Sequence, residues 1–298
     1  MAWRASARII TTPLRYSPSQ QAQPFLRFSQ SYSSTELTMK KDWSSEQYLK
    51  FNAERTRPAR DLLSQVQLHS PRRVVDLGCG PGNSTEVLVE RFPEAEVLGV
   101  DSSPDMIAKA KSTLPQLEFL LQDLVTYKPT EAVDLFFCNA VLQWLPPVQR
   151  ISITTTLIQS QPPGGVFAFQ VPDNLAEPSH TSMRAVAERE PFAGLLREHQ
   201  PVRSQIETPQ QLYDQLGPYC SSINVWQTRY QHVLDSHEEI AEWVKGTGLR
   251  PFVDPLPERE RRAFLDQYLG ELKAVYPLSS DGKVLFPFPR LFVVAVRK

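Results

Sequence analysis

The chain has 298 residues, of which 41% are apolar and 22% charged, a composition that suits one large folded domain or one domain carrying an insertion. It holds no apolar run of the roughly eighteen residues a membrane span needs, so no membrane insertion is expected. Net charge is −1, but five basic groups and a single acid fall in the first forty residues; the rest holds 27 basic and 32 acidic residues, near −5, with no Lys/Arg-rich run, which argues against a nucleic-acid partner.

Residues 1–38 are rich in Arg, Ser, Gln and Pro, and Trp3, Arg4, Ile9, Ile10, Leu14 and Arg15 suit a short basic amphipathic helix. That is the composition of a mitochondrial presequence, which predicts a matrix address. A start at Met39 would remove it and leave a cytosolic form of the body, residues 39–298. Cys79, Cys138 and Cys220 are odd in number and widely spaced. They suit a reducing compartment and have no metal-ligand spacing, so no metal is expected.

In chain order, Trp43–Gln65 reads as helical and could lie across the ligand edge of a sheet. Arg72–Leu77, Glu96–Val100, Leu117–Leu121, Val133–Cys138 and Val166–Val171 read as buried strands, with helices over Asn83–Phe92, Pro104–Leu114 and Pro147–Gln159 between them. Ser103 before Pro104 is a strong helix start. This alternation predicts an α/β fold, a doubly wound and mostly parallel sheet covered on both faces. Past Val171 the pattern loosens into a helical insertion or cap over about residues 172–215, with helices near Thr181–Glu190 and Pro209–Leu216. A strand near Ile223–Val233, helices at His237–Lys245 and Pro257–Val275, and a strong final strand at Leu291–Val296 complete the reading.

The stretch Val74–Thr85 (VVDLGCGPGNST) carries the most chemistry. A buried strand ends in Asp76, and Gly78, Gly80 and Gly82 form a turn that lets backbone approach a ligand closely. Asp101 ends the next strand nineteen residues after Gly82, where a carboxylate can accept from ribose hydroxyls; Ser102 adjoins it. The G-x-G-x-G spacing is not the G-x-G-x-x-G of a pyrophosphate loop. Asp76 would repel phosphate and suit a cationic amino-acid group. Both features favour S-adenosyl-L-methionine over a nicotinamide dinucleotide. Gln122 and Asp123 follow the third strand, where an acid could meet an adenine amino group, and Asn139 and Ala140 follow the fourth, beside the expected methyl position.

These segments resemble the cofactor motifs of class I methyltransferases, whose fold is Rossmann-like. Further motifs carry the resemblance to the trans-aconitate 2-methyltransferase family: Phe51–Arg55 with Arg57–Pro58, the run Asp101–Ile107, Leu142–Pro146 (LQWLP), Pro172–Asn174 (PDN), Glu177–His180 (EPSH), Thr247–Pro251 (TGLRP) and Phe288–Phe292 (FPRLF). The similarity spans about residues 42–297. The chain departs from the bacterial pattern in its N-terminal extension and over about residues 186–205. The resemblance implies methyl transfer to a carboxylate of trans-aconitate, giving a monomethyl ester.

A carboxylate nucleophile has an ordinary pKa of about 4 and is already ionised at neutral pH, so no catalytic acid or base is expected. A small tricarboxylate must overcome the negative body, which calls for converging arginines, whose planar fork grips a carboxylate. The candidates are Arg55, Arg57, Arg250 and Arg290, the last two favoured by their motifs, with His180 in reach and Trp43 and Trp144 as walls. Two other readings stay open at this level: a methyltransferase of another small molecule such as a quinone precursor, and a non-catalytic S-adenosylmethionine-binding assembly protein. The oligomeric state is left open too.

Overall fold

A computed structural model of the chain describes residues 51–199 and 203–298. Trp43 and the segment read as a presequence, residues 1–38, lie outside these. One seven-stranded sheet has the order β3-β2-β1-β4-β5-β7-β6, where β1 is Arg73–Leu77, β2 Glu96–Asp101, β3 Glu118–Leu121, β4 Leu135–Asn139, β5 Val166–Pro172, β6 Cys220–Leu234 and β7 Val284–Arg297. The first five strands are parallel, and β7 runs antiparallel to both β5 and β6. Strand order reverses between β1 and β4, and ligands of such sheets bind in the crevice beyond the strands' carboxyl ends at that switch.

Parallel strands buried on both faces must be apolar throughout, and alternate residues then serve different cores. Val75 and Leu77 face one core with Phe136, Phe167 and Leu157 of α4, the helix Pro147–Ser160. Val74 faces the other with Ala59 and Leu62 of α1 (Asn52–Ser64) and Leu88 of α2 (Asn83–Arg91). Thus α1 packs on a face of the sheet, over β5 and β7, rather than only along its ligand edge. Helix α3, Pro104–Thr113, opens as expected: Ser103 Oγ accepts from the Met106 amide at 3.2 Å.

The segment after β5 carries α5 (Pro178–Ala187), α6 (Phe192–Leu195) and α7 (Pro209–Leu216); α8 (His237–Lys245), α9 (Arg250–Val253) and α10 (Glu258–Val275) lie between β6 and β7. The main departure from expectation is the length of the antiparallel pair β6 and β7. Strand β5 ends where Pro172 pairs with Arg290, while β7 continues back to Val284 opposite Leu234. The pair therefore projects about 20 Å past the end of β5 at strand rise. Its protruding Phe286 and Phe288 join Trp243, Phe264, Tyr268, Met183 and Phe192 in a separate core. The prolines Pro287 and Pro289 in β7 masked this strand in the sequence, because proline donates no ladder hydrogen bond.

Candidate active site

At the switch point the loop after β1 is tied to β2: the Gly78 and Cys79 amides both donate to the Val100 carbonyl, at 2.7 and 3.0 Å. Gly78 has φ +70°, and a Cβ there would stand 2.2 Å from Val141 Cγ2 in the loop after β4, so glycine lets the two loops close on each other. At Gly80 (φ +54°) nothing lies within 4 Å of an added Cβ, leaving open space beside the backbone. Gly82, at φ +100°, starts α2.

Asp76 is fully buried, and its Oδ2 accepts from Ser84 and Thr85 hydroxyls, both at 2.7 Å. Burial pushes its carboxyl up to about 6, although the two hydroxyls pull the other way. Its Oδ1 is buried with no hydrogen-bond partner. A carboxylate oxygen left in that state suits a cationic group. Asp101 is partly buried and its oxygens accept from the Gly80 and Ser103 amides, each at 2.9 Å. Carboxylate oxygens carry about four acceptor positions in all, so capacity for ribose hydroxyls remains. Ser102 is exposed; Gln122 donates to the Thr126 carbonyl, and exposed Asp123 accepts from the Val125 amide at 2.9 Å. These two side chains shape the turn after β3.

Asn139 ends β4, and Ala140 follows at φ +60°, a left-handed conformation costly for alanine. It is held there by its amide, which donates to the Gln170 carbonyl (2.9 Å), and by its carbonyl, which accepts from Gln143 Nε2 (2.6 Å). Gln170 on β5 joins the site across three strands. Its Nε2 donates to Asn139 Oδ1 (2.5 Å), and its Oε1 accepts from Arg290 Nη1 (3.1 Å). All three side chains are buried, and the Arg290 guanidinium lies 4.8 Å from the centre of the Phe288 ring.

Arg55, Arg57 and Arg290 gather about His232 on β6; burial, then those three charges, hold its imidazole down at about 4. Arg55 is buried against Trp243, donating to its carbonyl, whereas the Arg57 side chain is 68% exposed, stacks 5.1 Å from Tyr230 and pairs with Asp61. Arg250, at the start of α9, pairs with Asp254 one turn along, at 3.2 Å. His180 and Trp144 line a second part of the site, a cavity of about 320 Å³ shared with Arg203. Burial, then the charges of Arg203 and Arg184, hold His180 down to about 3, so it is neutral and cannot itself bind an anion by charge.

Gln170, Arg203 and His232 were missed in the sequence. Gln170 carries a readable signal, a polar residue inside an otherwise apolar strand. Arg203 carries none: it sits in an irregular loop whose path only packing decides.

A family model described as a methyltransferase domain matches residues 74–165. The chain is similar to a trans-aconitate 2-methyltransferase of Rhodopseudomonas palustris (strain BisB18), 52% identical over 256 residues, which cover 86% of this chain and 99% of that one. The enzyme of the same name from Methylobacterium nodulans is 50% identical, with 86% and 98% covered. The YcgJ protein of Bacillus subtilis has the same fold, with a TM-score of 0.52 at 13% identity, over 81% of this chain and 99% of that one. These findings correct the mitochondrial expectation. The relatives are bacterial proteins, which belong to cells without that organelle, so the matrix address does not stand. No described helix is long and apolar enough to cross a membrane.

Proposed function

This chain belongs to the trans-aconitate 2-methyltransferase family, and we propose from that membership that it methylates a carboxylate of trans-aconitate, yielding the monomethyl ester and S-adenosylhomocysteine. The observation that carries the reading to this site is the buried row Asn139–Gln170–Arg290, which sets a guanidinium beside the carboxyl ends of β4 and β5. S-adenosylmethionine supplies a methyl group on a sulfonium: the carboxylate oxygen forms the new O–CH3 bond as the C–S bond breaks, and the electron pair goes to sulfur.

The chain's own residues have no proton to move. The attacking carboxylate is ionised at neutral pH, and both site histidines are neutral there. Their work is binding and alignment, and oriented approach is worth roughly 7–11 kcal/mol. In this reading Asp76 Oδ1 would hold the cofactor's ammonium, Asp101 would accept from its ribose, and the Gly78 to Gly82 turn would let it approach the backbone closely. Ser102, Gln122 and Asp123 would hold the adenosine, with Asn139 and Ala140 on the methyl side. Arg290 would take a carboxylate of the acid, with Arg55 adding positive potential. Trp144 and the aromatic residues of β7 would exclude water.

The test is incubation with methyl-labelled S-adenosylmethionine and a panel of trans-aconitate, citrate, isocitrate and itaconate, followed by extraction of labelled ester. Trans-aconitate should be the best acceptor. Cofactor binding without label transfer to any of these acids would overturn the reading.

A further inference from the structure

We propose that Arg203 binds a carboxylate of the acid that is not methylated, at the cationic end of the cavity walled by Trp144, Met183 and Phe252. The inference rests on the function proposed above and adds a second anchoring point to it. It begins with an electrostatic mismatch. The Arg203 guanidinium donates from Nη2 to the Pro172 carbonyl (3.2 Å) and to Asn174 Oδ1 (3.0 Å), and from Nη1 toward His180 Nε2 at 3.5 Å. Its Cζ lies 5.7 Å from the centre of the Trp144 ring. Every one of these partners is neutral. His180 accepts at Nε2, which leaves its Nδ1 hydrogen directed at Ser179 Oγ, 3.2 Å away.

No carboxylate among the described residues stands within ion-pair distance of Arg203, and its Nε is buried without a hydrogen-bond partner. Asp173, an attractive charge further off, is already engaged by Gln205 and Gln227. Neighbouring Arg150 repels it, although Arg150 has its own counter-charge in Glu207 at 3.2 Å. Burial, and then Arg150, lower the Arg203 pKa to about 10, which still leaves it charged at neutral pH. A part-buried cation with no anion beside it is costly, and an anionic ligand in the cavity offsets that cost.

The position also fits the reaction. Arg203 bonds the carbonyl of Pro172, and Pro172 pairs with Arg290 in the sheet, so two guanidiniums flank the end of β5. Trp144, under Arg203, lies four residues past Ala140. An acid with several carboxylates can then touch Arg290 with one and Arg203 with another, which would align the one to be methylated. Arg184, on the same cavity, adds charge while its Nη2 holds the Leu175 carbonyl at 2.7 Å.

Calorimetric titration tests this in the presence of S-adenosylhomocysteine, using tricarballylate, glutarate (no central carboxylate) and methylsuccinate (one terminal carboxylate fewer). Arg203→Gln should bind tricarballylate about 10- to 100-fold more weakly than wild type, and Arg203→Lys about 5- to 10-fold, because lysine keeps charge but loses the fork. With at least one of the two shorter acids, wild type and Arg203→Gln should bind alike. S-adenosylhomocysteine affinity should stay within about twofold. Equal tricarballylate affinity in Arg203→Gln overturns the proposal, as does a wild type that binds none. An equal loss for all three acids, tracking a lower melting temperature in both variants, would make Arg203 only a strut for its loop. Should wild type bind tricarballylate through Arg203 but transfer no methyl to trans-aconitate, the enzymatic reading falls and the anion pocket remains.

Discussion

The two flanks of the sheet are built on different plans. Over β3, β2, β1 and β4, each proposed cofactor residue ends a strand or lies in the loop that follows it: Asp76 and Gly78 with β1, Asp101 with β2, Gln122 with β3, Asn139 with β4. The loops are held by backbone amides and by one another, as Gly78 is by Val141. Over β5, β7 and β6 the proposed acid site collects Arg55 from α1, Gln170 from β5, His180 from α5, Arg203 from a loop and Arg290 from β7. Local geometry forms the proposed cofactor site. A long antiparallel strand pair and a layer of helices, joined by side-chain contacts, form the proposed acid site.

That contrast can be broken most severely at Gly78. Alanine there must displace Val141 and hold a left-handed backbone, so Gly78→Ala should lose about 2–4 kcal/mol of stability, read as a lower urea midpoint. Gly80→Ala has open space and should lose only about 1 kcal/mol from its backbone conformation. Equal midpoints for the two would mean the loops do not interlock.

Asp101→Ala strips acceptors from two loop amides as well as from the proposed ribose contact. S-adenosylmethionine should bind about 10- to 100-fold more weakly, with the KM of the acid little changed. Wild-type cofactor affinity would remove Asp101 from the site. On the other flank the pattern should invert: Arg290→Lys should raise the KM of trans-aconitate about tenfold while cofactor titration is unchanged. A fall in kcat as well would add an aiming role through Gln170 and Asn139. Unchanged kcat/KM would move the acid away from β7.

The smallest expected effect is in pH dependence. The folded pKa of Asp76, about 6, lies above its ordinary value of 3.8, so its contribution to stability is full below about 4 and is lost as pH rises through about 6. A cationic group at Oδ1 offsets the cost of ionising it. Cofactor affinity should therefore rise a few-fold between pH 5 and 7, and Asp76→Asn should flatten that rise. A wild-type affinity independent of pH would separate Asp76 from the ammonium.

The five parallel strands, the helices between them and the glycine turn were legible because their signals are local. A buried parallel strand is a short apolar run, a helix start is Ser103 before Pro104, and the turn needs glycine where φ is positive. Those residue patterns by themselves also determined the family, since its motifs recur from Phe51 to Phe292. Tertiary structure decided the rest. Nothing in the spacing of Arg290 and Gln170, 120 positions apart, announces a hydrogen bond, and the pairing of Pro172 with Arg290 depends on the register of β7 on β5. The same packing ties Arg250 to Asp254, buries His180 as a neutral ring, and brings Arg203 over Trp144. A single residue's chemistry is written in its side chain, but its charge state and partners are set by desolvation and by neighbours that only the folded chain supplies.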